Sequence, residues 1–280
     1  MFARLQRVMV LLLCVGLMAV AQEPPEIPWE KGPCVGRLGT MAEIQVPKGF
    51  LFTGKDGAKL VMERTHNIPS GSELGVLMPI PKDEKDEGWF VIFKFSPIGY
   101  VKDDEKNNLD ADAILASIKT ATDKANDLRR SKGWSAIDVI GWTRKPFYDP
   151  RTNNLTWAIL GRDATTQDEV VNHSVRLLGR TGYMNTDLIL SKQMAPQGIP
   201  VFDHVMEGFR YTSGQTYAEF RKGDNVAAIG LTALVAGGAG AVLAKSGLLG
   251  KLWKFLVFAV IGVIGFFKKL FTGKKQDSGT

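Results

Sequence analysis

Charge is scarce at the carboxyl end of this chain, and cysteine and histidine are scarce throughout. From Val226 to Phe267 only Lys245, Lys251 and Lys254 are charged. A stretch so poor in charge is expected in lipid rather than in water. There are two cysteines, and Cys14 falls inside an apolar N-terminal run. Cys34 therefore has no partner of its own, which excludes a disulfide-built module and leaves the domain to rely on its hydrophobic core. The three histidines, His66, His173 and His204, are far apart, and no H-E-x-x-H or C-x-x-C pattern accompanies them. Nothing at metal-ligand spacing points to a metal. There is no G-x-S-x-G elbow and no phosphate-binding P-loop, so no cofactor is expected and no catalytic constellation is evident.

A basic surface is also missing, despite a formal net charge of +6. Two of the 35 Lys and Arg precede Gln22 and seven follow Asn225, leaving 26 against 28 Asp and Glu in between. The central domain is close to neutral. It lacks the positive stripe that binding DNA or RNA requires, so nucleic acid is excluded as a partner. The surplus charge flanks the apolar segments, where lipid headgroups are the natural counterpart.

Two apolar segments are present near the end, Val226–Ala244 and Leu248–Phe267. A bilayer core about 30 Å thick needs roughly 20 residues of helix. The first segment is rich in small residues, Gly237 and Gly238 among them, as helix contacts in membranes often are. The second carries Trp253 at a position suited to the headgroup level, then the uncharged stretch Phe255–Phe267. Both the connector and the tail are basic, so the positive-inside rule does not choose between a two-helix hairpin and a single span. At the other end, Arg4 and Arg7 precede the run Val8–Val20, and Ala19-Val20-Ala21 forms a small-residue cleavage site. That pattern predicts a secretory signal peptide over 1–21.

The predicted layout is thus a signal peptide at 1–21, an extended leader at 22–41, an exported domain at 42–225, a hydrophobic membrane region at 226–270 with one or two helices, and a basic polar tail at 271–280. Pro24, Pro25, Pro28 and Pro33 mark the leader. Strands are predicted at Ala42–Val46, Phe50–Thr53, Leu74–Ile80 and Gly88–Phe95, with a helix at Asp56–His66 and a solvated acidic turn before Gly88. The clearest helix spans Asp110–Arg130, with Ile114, Ile118, Ala121 and Ala125 on one face and Gly133 at its end. Four further strands, Ile137–Thr143, Leu155–Leu160, Val170–Leu178 and Tyr183–Leu190, follow across short turns, and a short helix near Val201–Met206 closes the domain. Consecutive strands joined by short turns around one long helix predict an α+β fold. Its sheet is largely antiparallel with the helix packed on it, and membrane helices follow.

Three weak candidates for a ligand site stand out. Asp103 and Asp104 could hold a cation or do acid/base work, although an acidic turn before a helix also satisfies the helix dipole. Arg176 and Arg180 flank a strand end and could clamp a carboxylate or phosphate, or simply brace the turn. Trp142 and Trp157 could line an aromatic cleft, or be core.

The chain resembles a bacterial family of uncharacterised membrane-anchored proteins, the domain of unknown function 2167. The likeness is carried by Gly99-Tyr100-Val101 with Asp103-Asp104, Gly141-Trp142 with Pro146, Tyr148 and Asp149, and Leu155 with Trp157-Ala158. It continues through Asn172 with Val175-Arg176, Leu178-Gly179-Arg180 with Gly182, and Asp224 through Val226-Ala227-Ala228 and Gly230 to Gly238. Ile159-Leu160 stands where the family pattern has Lys-Glu, and His173 where it has Tyr. The resemblance implies a signal-led protein of the bacterial inner membrane with its main domain in the periplasm, and it brings no activity or catalytic residue. Element order alone is similar to the sheet-and-helix layers of PsbP. The leading expectation is a non-enzymatic envelope protein that contacts the bilayer and another envelope protein or itself. The alternatives are an envelope hydrolase or small-ligand-binding domain using the acidic and arginine residues, and an oligomeric membrane-helix scaffold.

Overall fold

The structure, a computed structural model, describes residues 25–65, 67, 69–82 and 88–236. The predicted signal peptide, the acidic turn at 83–87 and the apolar run from Gly237 onward, with Gly238, Trp253, Phe255, Phe267 and the basic tail, lie outside the described residues. Among the described residues no helix is long and apolar enough to cross a membrane.

The described chain forms β1 (Glu30–Lys31), β2 (Cys34–Leu38), β3 (Ala42–Val46), β4 (Phe50–Gly54), α1 (Lys55–Arg64), β5 (Glu73–Pro79) and β6 (Trp89–Ser96). There follow α2 (Ala111–Ser131), β7 (Ile137–Asp149), β8 (Asn154–Asp163), β9 (Glu169–Leu178), β10 (Tyr183–Ser191), α3 (Ala195–Met206), β11 (Phe209–Tyr211) and α4 (Leu231–Val235). Eight strands form one sheet in the order β1-β4-β5-β6-β10-β9-β8-β7, and β11-β3-β2 form a second. Every pairing between these strands is antiparallel. The predicted α+β class with a dominant antiparallel sheet is therefore what the structure shows.

Both faces of the large sheet are covered, because alternate side chains point to opposite sides. On one face Val91, Phe93, Val171, Leu188 and Leu190 pack against Leu38, Ile44 and Val46 of the small sheet and Phe202 and Val205 of α3. The other face carries two apolar patches. One lies under α1, with Val61, Met62, Val76, Phe90, Ile92 and Ile189. Its neighbour, with Ile114 and Ile118 of α2, Leu155, Trp157, Ile159 and Leu178, also takes in Leu231 and Leu234 of α4.

Four boundaries differ from the sequence reading. Order begins before Ala42: Ile27 is buried, β1 pairs with β4, and β2 supplies one edge of the small sheet. Strand β7 runs on through Tyr148 and Asp149, past its predicted end at Thr143. Three register shifts against β8 absorb the irregular residues, and Pro146 is tolerated because β7 is an edge strand. Helix α3 starts at Ala195 rather than near Val201, since Pro196 occupies the first turn, where a missing N–H is harmless. The segment 226–236, expected to open the membrane region, packs onto the domain: Val226 bridges Tyr100 in parallel, and Leu231, Leu234 and Val235 are buried.

Candidate functional site

Between the two apolar patches of the helix-covered face lies a polar floor. Opposite pairing sets Lys94 of β6 against Asn185 of β10, and Asn185 against Arg176 of β9, as one row across three strands. One step along the strands, Asp187 faces Ser174, which in turn faces Trp157 of β8. Asp187 Oδ1 accepts from Arg176 Nη1 at 2.9 Å and from Ser174 Oγ at 2.8 Å, while Oδ2 sits 3.2 Å from Lys94 Nζ. The guanidinium carbon of Arg176 lies 4.5 Å from the centroid of the Trp157 ring, within range of a cation–π contact. The three charged side chains are only 10 to 14% exposed.

Burial alone would push the Asp187 carboxyl up, but Arg176, Lys94 and the Ser174 hydroxyl outweigh it and hold it far below the ordinary carboxylate range. It is ionised at any physiological pH. Asn185 Nδ2 donates to the Lys94 carbonyl and to Ser96 Oγ, both at 3.0 Å. Asn172 Oδ1, 3.1 Å from Ser174 Oγ, is the alternative acceptor for its one proton. Arg176 Nε is buried without a hydrogen-bond partner. Charges in the middle of a covered sheet lose hydration, and apolar replacements are often as stable. Such a cluster is thus a candidate for function rather than for support.

The structure brings together two of the residues singled out in the sequence, Arg176 and Trp157, and places the others elsewhere. Arg180 forms a two-pronged bond to Asp224, with both distances 2.7 Å. Asp103 pairs with Lys106 at 3.0 Å. Trp142 Nε1 donates to the Ala111 carbonyl at 3.1 Å, fastening the start of α2 to β7. Asp104 is exposed and has no ion-pair partner among the described residues. No contact joins Asp103 or Asp104 to either arginine. Lys94, Asn172, Ser174, Asn185 and Asp187 complete the floor, and sequence reasoning missed all five.

A second cluster fastens the C-terminal segment. Tyr100 donates its N–H to Asn225 O and accepts from Ala227 N, and its ring stacks on Tyr217 at 4.4 Å. Tyr217 Oη donates to Val101 O, and Glu105 Oε2 accepts the N–H of Thr232 at 2.7 Å, at the start of α4. Burial, with Asp103 and Tyr100 nearby, pushes Tyr148 up to about 12. Gly99 and Gly179 leave no room for a side chain: a Cβ would lie 2.7 Å from Asn225 O and 2.9 Å from Gln215 O, while at Gly230 it would displace the Glu105 carboxylate. The acidic turn therefore anchors the segment. Among the described residues no group of three or more His, Cys, Asp or Glu could hold a metal ion.

Comparison with known proteins adds three findings. The family model described as "Protein of unknown function (DUF2167)" matches residues 31–268. No curated protein matches. Among solved structures, cyanobacterial PsbP (CyanoP) from Synechocystis sp. PCC 6803 is similar at 14% identity and a TM-score of 0.38, over 70% of this chain and 99% of that one. The Ran-binding protein Mog1p of Saccharomyces cerevisiae is similar at 10% identity and a TM-score of 0.30, over 64% of this chain and 93% of that one.

Proposed function

We propose, from the premise that this chain belongs to the DUF2167 family of proteins of unknown function, that it is a membrane-tethered bacterial envelope protein whose periplasmic domain acts by contact rather than by catalysis. The observation that carries this reading is the junction at 226–236. The last helix of the described chain, Leu231–Val235, is docked on the domain. It then continues without charge to Lys245, and with only three lysines to Phe267. Such a run is more stable among acyl chains than in water. A domain tethered there is held close to the bilayer. That suits an element that meets another envelope protein or a second copy of itself.

Fractionation tests the tether. The full chain is expected in the membrane pellet, released by detergent and not by high salt. A tag after Thr280, probed by protease before and after opening the cells, reports span number and domain side. Recovery in the high-speed supernatant without detergent would overturn the proposal.

The polar floor favours a second reading, a domain that binds a small ligand. Its support is the placement of Lys94, Asp187 and Arg176 in a covered sheet, where their charges serve no strand pairing. The hydrolase alternative built on Asp103, Asp104, Arg176 and Arg180 has no comparable support, because Asp103, Arg176 and Arg180 each pair with another residue and Asp104 is exposed.

A further inference from the structure

The start of the apolar run is committed to the domain. Val226 bridges Tyr100, Ala227 donates its N–H to the Tyr100 carbonyl at 2.9 Å, and Thr232 donates its N–H to Glu105 Oε2 at 2.7 Å. Leu231, Leu234 and Val235 are no more than 3% exposed and share one apolar cluster with Ile114 and Ile118 of α2 and with Leu155, Trp157 and Ile159 of β8. Moving this segment into lipid gains its leucines nothing, because acyl chains are no more apolar than the cluster they would leave. The move also uncovers the apolar groups beneath them and breaks their hydrogen bonds. Docking on the domain wins.

The docked segment limits the number of spans. A helix needs roughly 20 apolar residues to cross the hydrocarbon core. With 226–236 taken, only 237–244 precede Lys245, eight residues that as helix reach about 12 Å. The twenty residues 248–267 reach about 30 Å as helix. Their only charges, Lys251 and Lys254, fall within the first two turns, where a lysine stem carries its ammonium out to the headgroups. Charge leans the same way. Four lysines, Lys268, Lys269, Lys274 and Lys275, follow this stretch, against three, Lys245, Lys251 and Lys254, around its start. The more positive flank is the one retained in the cytoplasm.

We infer that α4 belongs to the domain rather than to a membrane hairpin, so that the chain crosses the bilayer once, through 248–267, and carries its basic tail to the side opposite the domain. This rests on the tether proposed above and deepens it by fixing the span number and the surface the tail meets, the anionic face of the cytoplasmic leaflet.

The test uses the full chain in bacterial cells, with Cys14 and Cys34 replaced by Ala and one reporter at a time, Ser246→Cys or Ser278→Cys. The probe is a charged maleimide that passes the outer membrane and not the inner one. Ser246→Cys is expected to react equally in intact and opened cells, whereas Ser278→Cys should lose all labelling in intact cells. The reverse pattern means that 226–244 has left the domain to form the first half of a hairpin; it overturns the inference and leaves the tether standing. A pattern that puts both positions on one side of the membrane overturns it as well. A chain recovered in the high-speed supernatant without detergent removes the tether and this inference together.

Discussion

At the scale of single residues, the informative cases are polar groups where water is absent. His173 is 1% exposed, and neither ring nitrogen has a hydrogen-bond partner. Its ring meets Phe202 edge-on at 5.5 Å. Burial, with Arg144 adding a smaller repulsion, depresses its pKa to about 4. An unfolded chain therefore binds a proton between about pH 6.5 and 4 that the folded chain refuses, so stability falls as pH drops through that window. The loss amounts to about 3 kcal/mol across it. His173→Leu should raise the urea midpoint at pH 5 and flatten its pH dependence; an unchanged profile would mean that the imidazole is solvated in solution. For Asp187 the sign is that of a depressed acid, with stability present at neutral pH and lost only in strong acid. Asp187→Ala, which leaves Arg176 and Lys94 facing one another, should cost about 3–5 kcal/mol. Replacing Lys94, Arg176 and Asp187 together by Met, Met and Leu should cost far less, as denaturant titration would show. The sequence hid this cluster for a simple reason. Asn185-Thr186-Asp187 is a polar run that reads as solvated, whereas all nine residues of β10 are buried.

At the scale of elements, local signals worked where the chain itself supplies the boundary. Asp110 accepts from Asp112 N at 3.1 Å and Ala113 N at 3.0 Å, and Gly133 takes a φ of +69° just past the end of α2. Both ends of this helix are therefore readable as a cap and a stop. Asp110→Ala should lower stability by about 1 kcal/mol, measurable as a shift in chemical denaturation with unchanged slope. Asp110→Asn should recover most of it. Local signals failed where a partner element supplies the boundary. Strand β7 continues past Thr143 because β8 keeps pairing with it as far as Asp149 opposite Asn154. Strand β2, in the proline-marked leader, is held by pairing with β3 from Cys34 to Leu38.

At the scale of the whole molecule, the segment from Phe209 to Ala236 wraps back over the large sheet. Tyr211 Oη donates to Leu177 O at 2.6 Å, Arg180 grips Asp224, and Glu105 receives the first turn of α4. The hydrogen bonds from Arg180 hold the Asp224 carboxyl down at about 2, so this grip persists through ordinary acidic conditions. The double variant Arg180→Met, Glu105→Gln should free the segment without unfolding the sheets. Trypsin should then cut after Arg221 and Lys222 about tenfold faster, with little change in melting temperature; an unaltered cleavage rate would show that Tyr100 and the apolar contacts suffice. Several blocks that carry the family likeness, Gly99-Tyr100-Val101, Leu178-Gly179-Arg180 and Asp224 to Gly230, are scattered in sequence and meet at this junction. Periodicity and composition were enough to establish the α+β layering, the near-neutral domain and the scarcity of charge from 226 to 267, since each follows from the residues themselves. Composition says that a segment leaves water and not where it goes. A protein core and a bilayer are equally apolar to a leucine, and it took contacts with Ile114, Ile118 and Leu155 to assign Leu231 and Leu234 to the domain. The polar floor is of the same kind, because Lys94, Arg176 and Asp187 belong to three strands and become neighbours only through pairing.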